Sequence, residues 1–179
     1  MDRVIILLAN GFEEIEALAP LDVLRRLNYD VKLVSMNSSL EVISSHGVTF
    51  KCDLLFNEEL YNSKGVVIPG GMPGATNLRD DKRVIELVKS FYNDKKLVAA
   101  ICAGPIVFGK ANILSNHFAT SYPGFESELG CAKYLEDNVV FCYNVITSRG
   151  PATAFDFAFA IAKYLGLDVS RLLKGMLFE

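Results

Sequence analysis

Apolar runs alternate with amphipathic stretches along this chain. Val4 to Ala9 is an unbroken aliphatic run, the pattern of a strand buried on both faces. From Glu14 to Leu27 the period changes. Ile15, Leu18, Leu21 or Val23, Leu24 and Leu27 fall on one side, while Asp22, Arg25 and Arg26 mark the wet side, which predicts a helix. Val31 to Met36 reads as a second strand. Leu40 to Ile43 and Val48 to Lys51 flank Ser44-Ser45-His46-Gly47 as the arms of a hairpin. Gly65 to Pro69 is a third buried strand, closed by the turn signal Pro69-Gly70-Gly71. Asp81 to Tyr92 predicts an amphipathic helix, and Leu97 to Ile101 a fourth buried strand that leads directly into Gly104 to Ala111. His117 to Tyr122, Val139 to Tyr143 and Val145 to Thr147 read as later strands. Thr153 to Leu165 and Val169 to Leu177 read as helices.

This β-α-β-β-β-α-β-α order predicts one α/β domain over residues 1–179, with a mostly parallel sheet covered by helices on both faces. In such sheets the functional crevice lies at the carboxyl ends of the strands. Three features fall there: Gly11-Phe12-Glu13-Glu14-Ile15-Glu16, Pro69-Gly70-Gly71, and Cys102.

Composition narrows the class. With 179 residues, 51% hydrophobic and 22% charged, the chain can build its own core and is neither disordered nor a coiled coil. The formal net charge of −3 leaves no basic excess for phosphates, so nucleic acid is not expected as the main partner. None of the four cysteines (Cys52, Cys102, Cys131, Cys142) forms a C-x-x-C pair, and His46 and His117 do not cluster with them. No metal site is expected. No secretory signal is read after Met1, and the longest nearly apolar stretch, Leu97 to Gly109, is broken by Gly104 and Pro105. It is also shorter than the ~20 residues of a membrane span. The expectation is a cytoplasmic protein with reduced thiols.

The segment richest in chemistry is Val98-Ala99-Ala100-Ile101-Cys102-Ala103-Gly104-Pro105. An apolar strand runs into small residues and then a helix, the layout of a nucleophile elbow, a sharp turn that lifts one side chain above the sheet. At a helix N-terminus Cys102 would have a lowered thiol pKa. A buried strand-end cysteine fits the same pattern. In Glu13-Glu14-Ile15-Glu16, the carboxylates suit the start of a helix. Glu16 is out of phase with the solvent side and can point inward, where desolvation keeps a carboxylic acid protonated and able to shuttle protons. Capping alone explains the same residues. Gly70 and Gly71 allow close backbone approach, and the N–H groups of Gly71 and Ala103 could form an oxyanion hole beside Cys102. A simple tight turn is the plainer reading. No phosphate-binding loop follows, since the Lys-Ser/Thr ending is absent.

Together these segments resemble the ThiJ/PfpI family, of the class I glutamine-amidotransferase-like superfamily, in particular its branch containing the parkinsonism-associated protein deglycase. The resembling stretches are Ala9 to Glu16, Leu21 to Arg26, Val67 to Gly71, Ala99 to Pro105 and Ile146-Thr147-Ser148-Arg149-Gly150-Pro151. The resemblance implies a flavodoxin-like three-layer α/β sandwich that forms a homodimer. It implies that Cys102 is a reactive, easily oxidised cysteine, that Glu16 is the acid bonded to it, and that the amides of Gly71 and Ala103 line the site beside Gly70. It places Arg26 near the pocket as an anion holder, and Pro151 at a corner near the site and the dimer interface.

Two departures matter. Where many members carry a histidine near the cysteine, this chain reads Thr120-Ser121-Tyr122-Pro123. Tyr122 can donate a hydrogen bond but is a poor base at neutral pH. Where relatives carry a pocket arginine, this chain has His46. Neither His46 nor His117 lies where a Cys-His-Glu triad needs its histidine, so a Cys-His hydrolase is disfavoured. The implied activity is a cysteine-dependent, cofactor-free deglycase or glutathione-independent glyoxalase. Its substrates are small α-oxoaldehydes such as methylglyoxal and glyoxal, or their protein and nucleotide adducts. Cys102 forms a hemithioacetal and Glu16 moves the protons. The alternative is an oxidative-stress sensor or protective protein whose Cys102 is oxidised to sulfinic acid.

Overall fold

The structure, a computed structural model, describes residues 2–178. In chain order it contains β1 (Arg3–Leu8), α1 (Glu14–Arg26), β2 (Asp30–Ser35), β3 (Glu41–Ile43), β4 (Thr49–Lys51), β5 (Leu54–Leu55), β6 (Gly65–Ile68), α2 (Gly74–Asp80) and α3 (Lys82–Asn93). Then follow β7 (Leu97–Ile101), α4 (Ile106–Lys110), β8 (Phe118–Ala119), α5 (Glu126–Leu129), β9 (Lys133–Tyr134), β10 (Val139–Cys142), β11 (Val145–Ser148), α6 (Ala154–Tyr164) and α7 (Ser170–Gly175). Short 3-10 turns span Glu58–Asn62 and Pro151–Thr153.

Seven strands form the central sheet in the order β10-β11-β7-β6-β1-β2-β5. All neighbours are parallel except the β10–β11 hairpin. The aliphatic run that opens the chain explains the sandwich. Val4, Ile6 and Leu8 pack on one face, in a core shared with α1 and α6. Ile5, Leu7 and Ala9 pack on the other, in a core shared with α3 and α4. Side chains alternate across a strand, so both faces of β1 must be covered, and both are.

The hairpin flanking Ser44 to Gly47 forms as expected, with β3 antiparallel to β4. It stands apart from the main sheet. It is tied to the β1–α1 turn by hydrogen bonds from Gly11 N–H to Ile43 O (2.8 Å) and from Ser45 N–H to Phe12 O (2.8 Å). The expected strand over His117 to Tyr122 is corrected to a two-residue piece, β8, paired with β9 outside the main sheet. The reason lies in its later hydrogen bonds. The Thr120 N–H donates to the Thr147 hydroxyl, and the Tyr122 N–H donates to the Cys102 carbonyl at 2.9 Å. The backbone there braces the end of β7 and joins no ladder. Among the described residues no helix is long and apolar enough to cross a membrane.

Candidate active site

The turn from β1 into α1 aims one carboxyl group inward. The Glu13 carboxylate caps α1 by accepting the Glu16 N–H at 2.8 Å, and the Glu13 N–H donates to Gly70 O at 3.0 Å. Glu16 is fully buried, and its Oε2 accepts the Gly70 N–H at 2.8 Å. Its Oε1 is buried with no hydrogen-bond partner among the described residues. Gly70 is required by close approach. A Cβ there would stand 2.7 Å from both Cys102 Cβ and Glu16 Oε2. Gly71 has φ +84°, and a Cβ there would meet the backbone of Gly11, Phe12 and Glu13.

Cys102 follows β7 directly and adopts φ 63°, an unusual conformation for a residue with a Cβ. That is the elbow geometry expected from the sequence. Its N–H donates to Ser148 O at 3.0 Å and its carbonyl accepts from Tyr122. The backbone N–H groups of Ala103 and Gly71 donate toward its sulfur, and the Glu16 side chain hydrogen-bonds it.

The expected lowering of the thiol pKa by a helix N-terminus is corrected by this geometry. α4 starts only at Ile106 and has five residues, so Cys102 lies outside its first turn, where the dipole acts. Burial and the neighbouring Glu16 carboxylate push the Cys102 thiol up to about 12, against the pull of the two amides. Burial likewise raises Glu16 to about 7, only partly offset by its bonds to Cys102 and Gly70. Two coupled groups titrate as a pair. The first proton leaves the pair near neutrality, and the second is held far above it. In between, the Glu16 carboxylate is ionised beside a thiol that keeps its proton.

The other expected pocket residues separate into two groups. Tyr122, Gly150 and Pro151 line a cavity of about 260 Å³ with Pro123 and Thr153, and Tyr122 is joined to Cys102 through its backbone. Ser148 and Thr153 hold this corner. Their hydroxyl oxygens lie 2.7 Å apart, and the Thr153 hydroxyl donates to Gly150 O at 2.9 Å. Thr153 was not singled out in the sequence, and its position directly after Gly150-Pro151-Ala152 is the signal that could have found it.

Arg26 does not reach this pocket. It ends α1, ten residues beyond Glu16 and so about 15 Å along the axis, where it is exposed and paired with Asp22 at 2.7 Å. His46 lies nearer, on the β3–β4 turn, but it is exposed and spends its Nδ1 on Glu14 Oε2 at 2.7 Å. Partial burial works to raise Glu14, yet hydrogen bonds from Ser44 and His46 outweigh it and bring Glu14 to about 2. The hydrogen bond to Glu14 in turn raises His46. Glu13, Glu14 and His46 are the grouping among the described residues close enough to hold a metal ion. Each of the two carboxylates already accepts protein donors. All four cysteines are free, and Cys52 is buried with its thiol raised to about 11 by desolvation.

A left-handed cysteine closing a central parallel strand, with a buried carboxylic acid and two amides at its sulfur, defines an α/β protein built around a cysteine site. The chain matches the DJ-1/PfpI family over residues 2–164, and it belongs to that family. It is 35% identical over 183 residues to the Parkinson disease protein 7 homolog of Danio rerio, covering 98% of this chain and 96% of that protein. It is 36% identical over 169 residues to protein DJ-1 homolog B of Arabidopsis thaliana, covering 93% of this chain but 39% of that longer protein. The crystal structure of Drosophila melanogaster DJ-1beta superposes with a TM-score of 0.92 at 35% identity, covering 98% of this chain and 97% of that one. These relatives place the chain in the DJ-1 branch.

Proposed function

We propose that the protein is a cysteine-dependent deglycase or glyoxalase acting on small α-oxoaldehydes, free or attached to proteins and nucleotides. The carrying observation is the placement of Glu16: fully buried and bound to the Gly70 N–H, it faces Cys102 across Gly70 and is raised by burial to about 7, while the Cys102 sulfur faces the amides of Gly71 and Ala103. A group titrating near neutrality is suited to both accept and return protons.

The chemistry uses only side chains and water. The Cys102 sulfur attacks the aldehyde carbon of methylglyoxal as its proton passes to Glu16, which hands it on to the new alkoxide, giving a neutral hemithioacetal and leaving Glu16 ionised. Glu16 then removes the proton from the former aldehyde carbon and returns one to the neighbouring ketone carbon through an enediol. This leaves a lactoyl thioester with no net oxidation. Water attacks that carbonyl, releasing lactate and restoring the thiol. The amides of Gly71 and Ala103 support the oxyanions. A cavity of about 260 Å³ lined by Tyr122, Gly150 and Pro151 adjoins the site through the Tyr122 N–H that donates to the Cys102 carbonyl, and a two- or three-carbon carbonyl compound fits such a space better than a large cofactor. Lactate release from methylglyoxal tests this reading in wild type, Cys102→Ser and Glu16→Gln. Equal rates in all three would end it.

One observation favours a second role for the same site. Cys102 is partly exposed and faces two amide donors, an arrangement able to hold the oxygens of a sulfinic acid. A relative of known structure is described as "Toxoplasma gondii DJ-1, oxidized". Mild peroxide followed by intact mass tests it, with a gain of two oxygens confined to Cys102 as the supporting result. A homodimer is also part of this reading. Ile15, Ile43 and Val48 are about half exposed on the β1–α1 turn and the β3–β4 hairpin that packs against it, and a second subunit would cover them.

A further inference from the structure

A second cavity lies at the opposite end of the sheet from Cys102. It measures about 630 Å³ and is lined by Tyr92, Lys95, His117, Tyr143, Asn144 and Tyr164, among others. These residues cluster around the amino end of β7, about 16 Å from Cys102 along that strand. Three observations give it the character of a binding site.

First, His117 is 3% exposed, and neither ring nitrogen has a hydrogen-bond partner among the described residues. The ring stands edge-on between Tyr92 and Tyr143, with centroids 5.4 and 5.5 Å away. Burial lowers its pKa, so at neutral pH it carries one unused N–H donor and one unused acceptor. Buried polar groups are normally satisfied, and exceptions call for an explanation.

Second, Lys95 and Tyr143 both adopt φ 57°. Lys95 follows the end of α3, and Tyr143 sits in the two-residue turn between β10 and β11. Glycine or asparagine is usual at such places. The other non-glycine residues with positive φ are Asn28, Asn112, Leu177 and Cys102. Asparagine tolerates this conformation, and Cys102 is the candidate nucleophile. A long cation and a large aromatic ring are thus held in a disfavoured conformation on the walls of one cavity. Third, the Lys95 ammonium makes no ion pair among the described residues.

We propose that this cavity binds a small flat aromatic molecule bearing a hydroxyl group and a carboxylate. The ring lies against Tyr92, Tyr143 and Tyr164, the hydroxyl bonds the His117 imidazole, and the carboxylate pairs with Lys95. Tyr143 is 76% exposed, so it swings outward to open the path to the imidazole and closes over the bound ring.

Isothermal titration of the full chain with 4-hydroxybenzoate tests this. The expected result is saturable one-to-one binding, unchanged in Cys102→Ser and weakened about tenfold or more in His117→Phe and Tyr143→Gly, each of which removes a principal contact. Benzoate, lacking the hydroxyl, is expected to bind more weakly. Tyr143→Gly suits the local backbone, and a melting temperature close to wild type separates its loss of binding from a loss of fold. Absence of saturation, binding unaffected by Tyr143→Gly, or binding abolished by Cys102→Ser would each overturn the proposal.

Discussion

The two ends of β7 solve the same backbone problem in opposite ways. At the carboxyl end, Cys102 holds φ 63° and every group around it has a role. Gly70 N–H binds Glu16, the amides of Gly71 and Ala103 face the sulfur, and Ser148 O takes the Cys102 N–H. The exception is Glu16 Oε1, buried without a partner, beside the place where a carbonyl substrate would arrive. At the amino end, Lys95 and Tyr143 hold φ 57° around an imidazole whose two nitrogens are both unspent. Apart from Glu16 Oε1, one end is a closed set of satisfied groups suited to reaction. The other is an open set of unsatisfied groups suited to binding. The lesson is that a left-handed residue with a side chain marks a place where geometry has been retained against its conformational cost, and the state of its neighbours indicates which use it serves.

The comparison breaks most sharply at Cys102. Cys102→Ser is expected to reduce lactate release from methylglyoxal to background while leaving the cavity at the other end able to bind. Glu16→Gln comes next. Gln can still accept the Gly70 N–H, so the fold stays, but it cannot take a proton. Loss of a general acid–base group costs roughly 10²–10⁴ in rate. Alkylation of Cys102 should also change. In wild type the ionised Glu16 carboxylate helps hold the thiol proton on, so alkylation stays slow until well above neutrality, and in Glu16→Gln, which removes that charge, its onset moves to lower pH. Identical profiles in the two proteins would show that Glu16 and Cys102 are not coupled.

The same substitution carries a stability prediction of opposite sign. The folded-state pKa of Glu16 is raised from 4.5 to about 7. A raised group gives its full stabilisation below the unfolded value and loses it as pH rises through the folded value. Glu16→Gln should therefore match wild type near pH 4 and exceed it at pH 8, by on the order of 3 kcal/mol as an upper bound. Chemical denaturation at the two pH values measures it. Gly70→Ala is expected to lose both activity and stability, by about 1–3 kcal/mol, because the added Cβ meets Cys102 Cβ and Glu16 Oε2 at 2.7 Å.

Much of the carboxyl end was legible in the sequence, and little of the amino end was. The run Val98 to Pro105 and the phase of Glu16 within its helix are local patterns, and the structure keeps both. The thiol pKa is not legible, because the sequence shows a helix following Cys102 but hides the desolvation and the adjacent carboxylate that raise it. A motif match carries no axial distance, so it does not tell that Arg26 closes α1, paired with Asp22. Its helix points it away from the site by three turns. Tyr92, Lys95, His117, Tyr143 and Tyr164 come together only through the order of strands around β7. No spacing along the chain announces that meeting, and each residue alone reads as ordinary.

The smallest expected effect is the most discriminating for the amino end. Tyr143→Gly relieves a left-handed tyrosine but raises the backbone entropy of the unfolded chain and removes the edge contact with His117. Each effect is worth about 0.5–1.5 kcal/mol, and they oppose each other. Stability should then stay within about 1 kcal/mol of wild type, and lactate release should not change, because Tyr143 is about 16 Å from Cys102 along the strand direction. A variant that folds and reacts normally yet no longer binds 4-hydroxybenzoate would show that the tyrosine is held in its unusual conformation for binding. A clear fall in melting temperature would instead assign it to packing over His117, and the contrast between the two ends of β7 would reduce to one between a reactive site and a structural one.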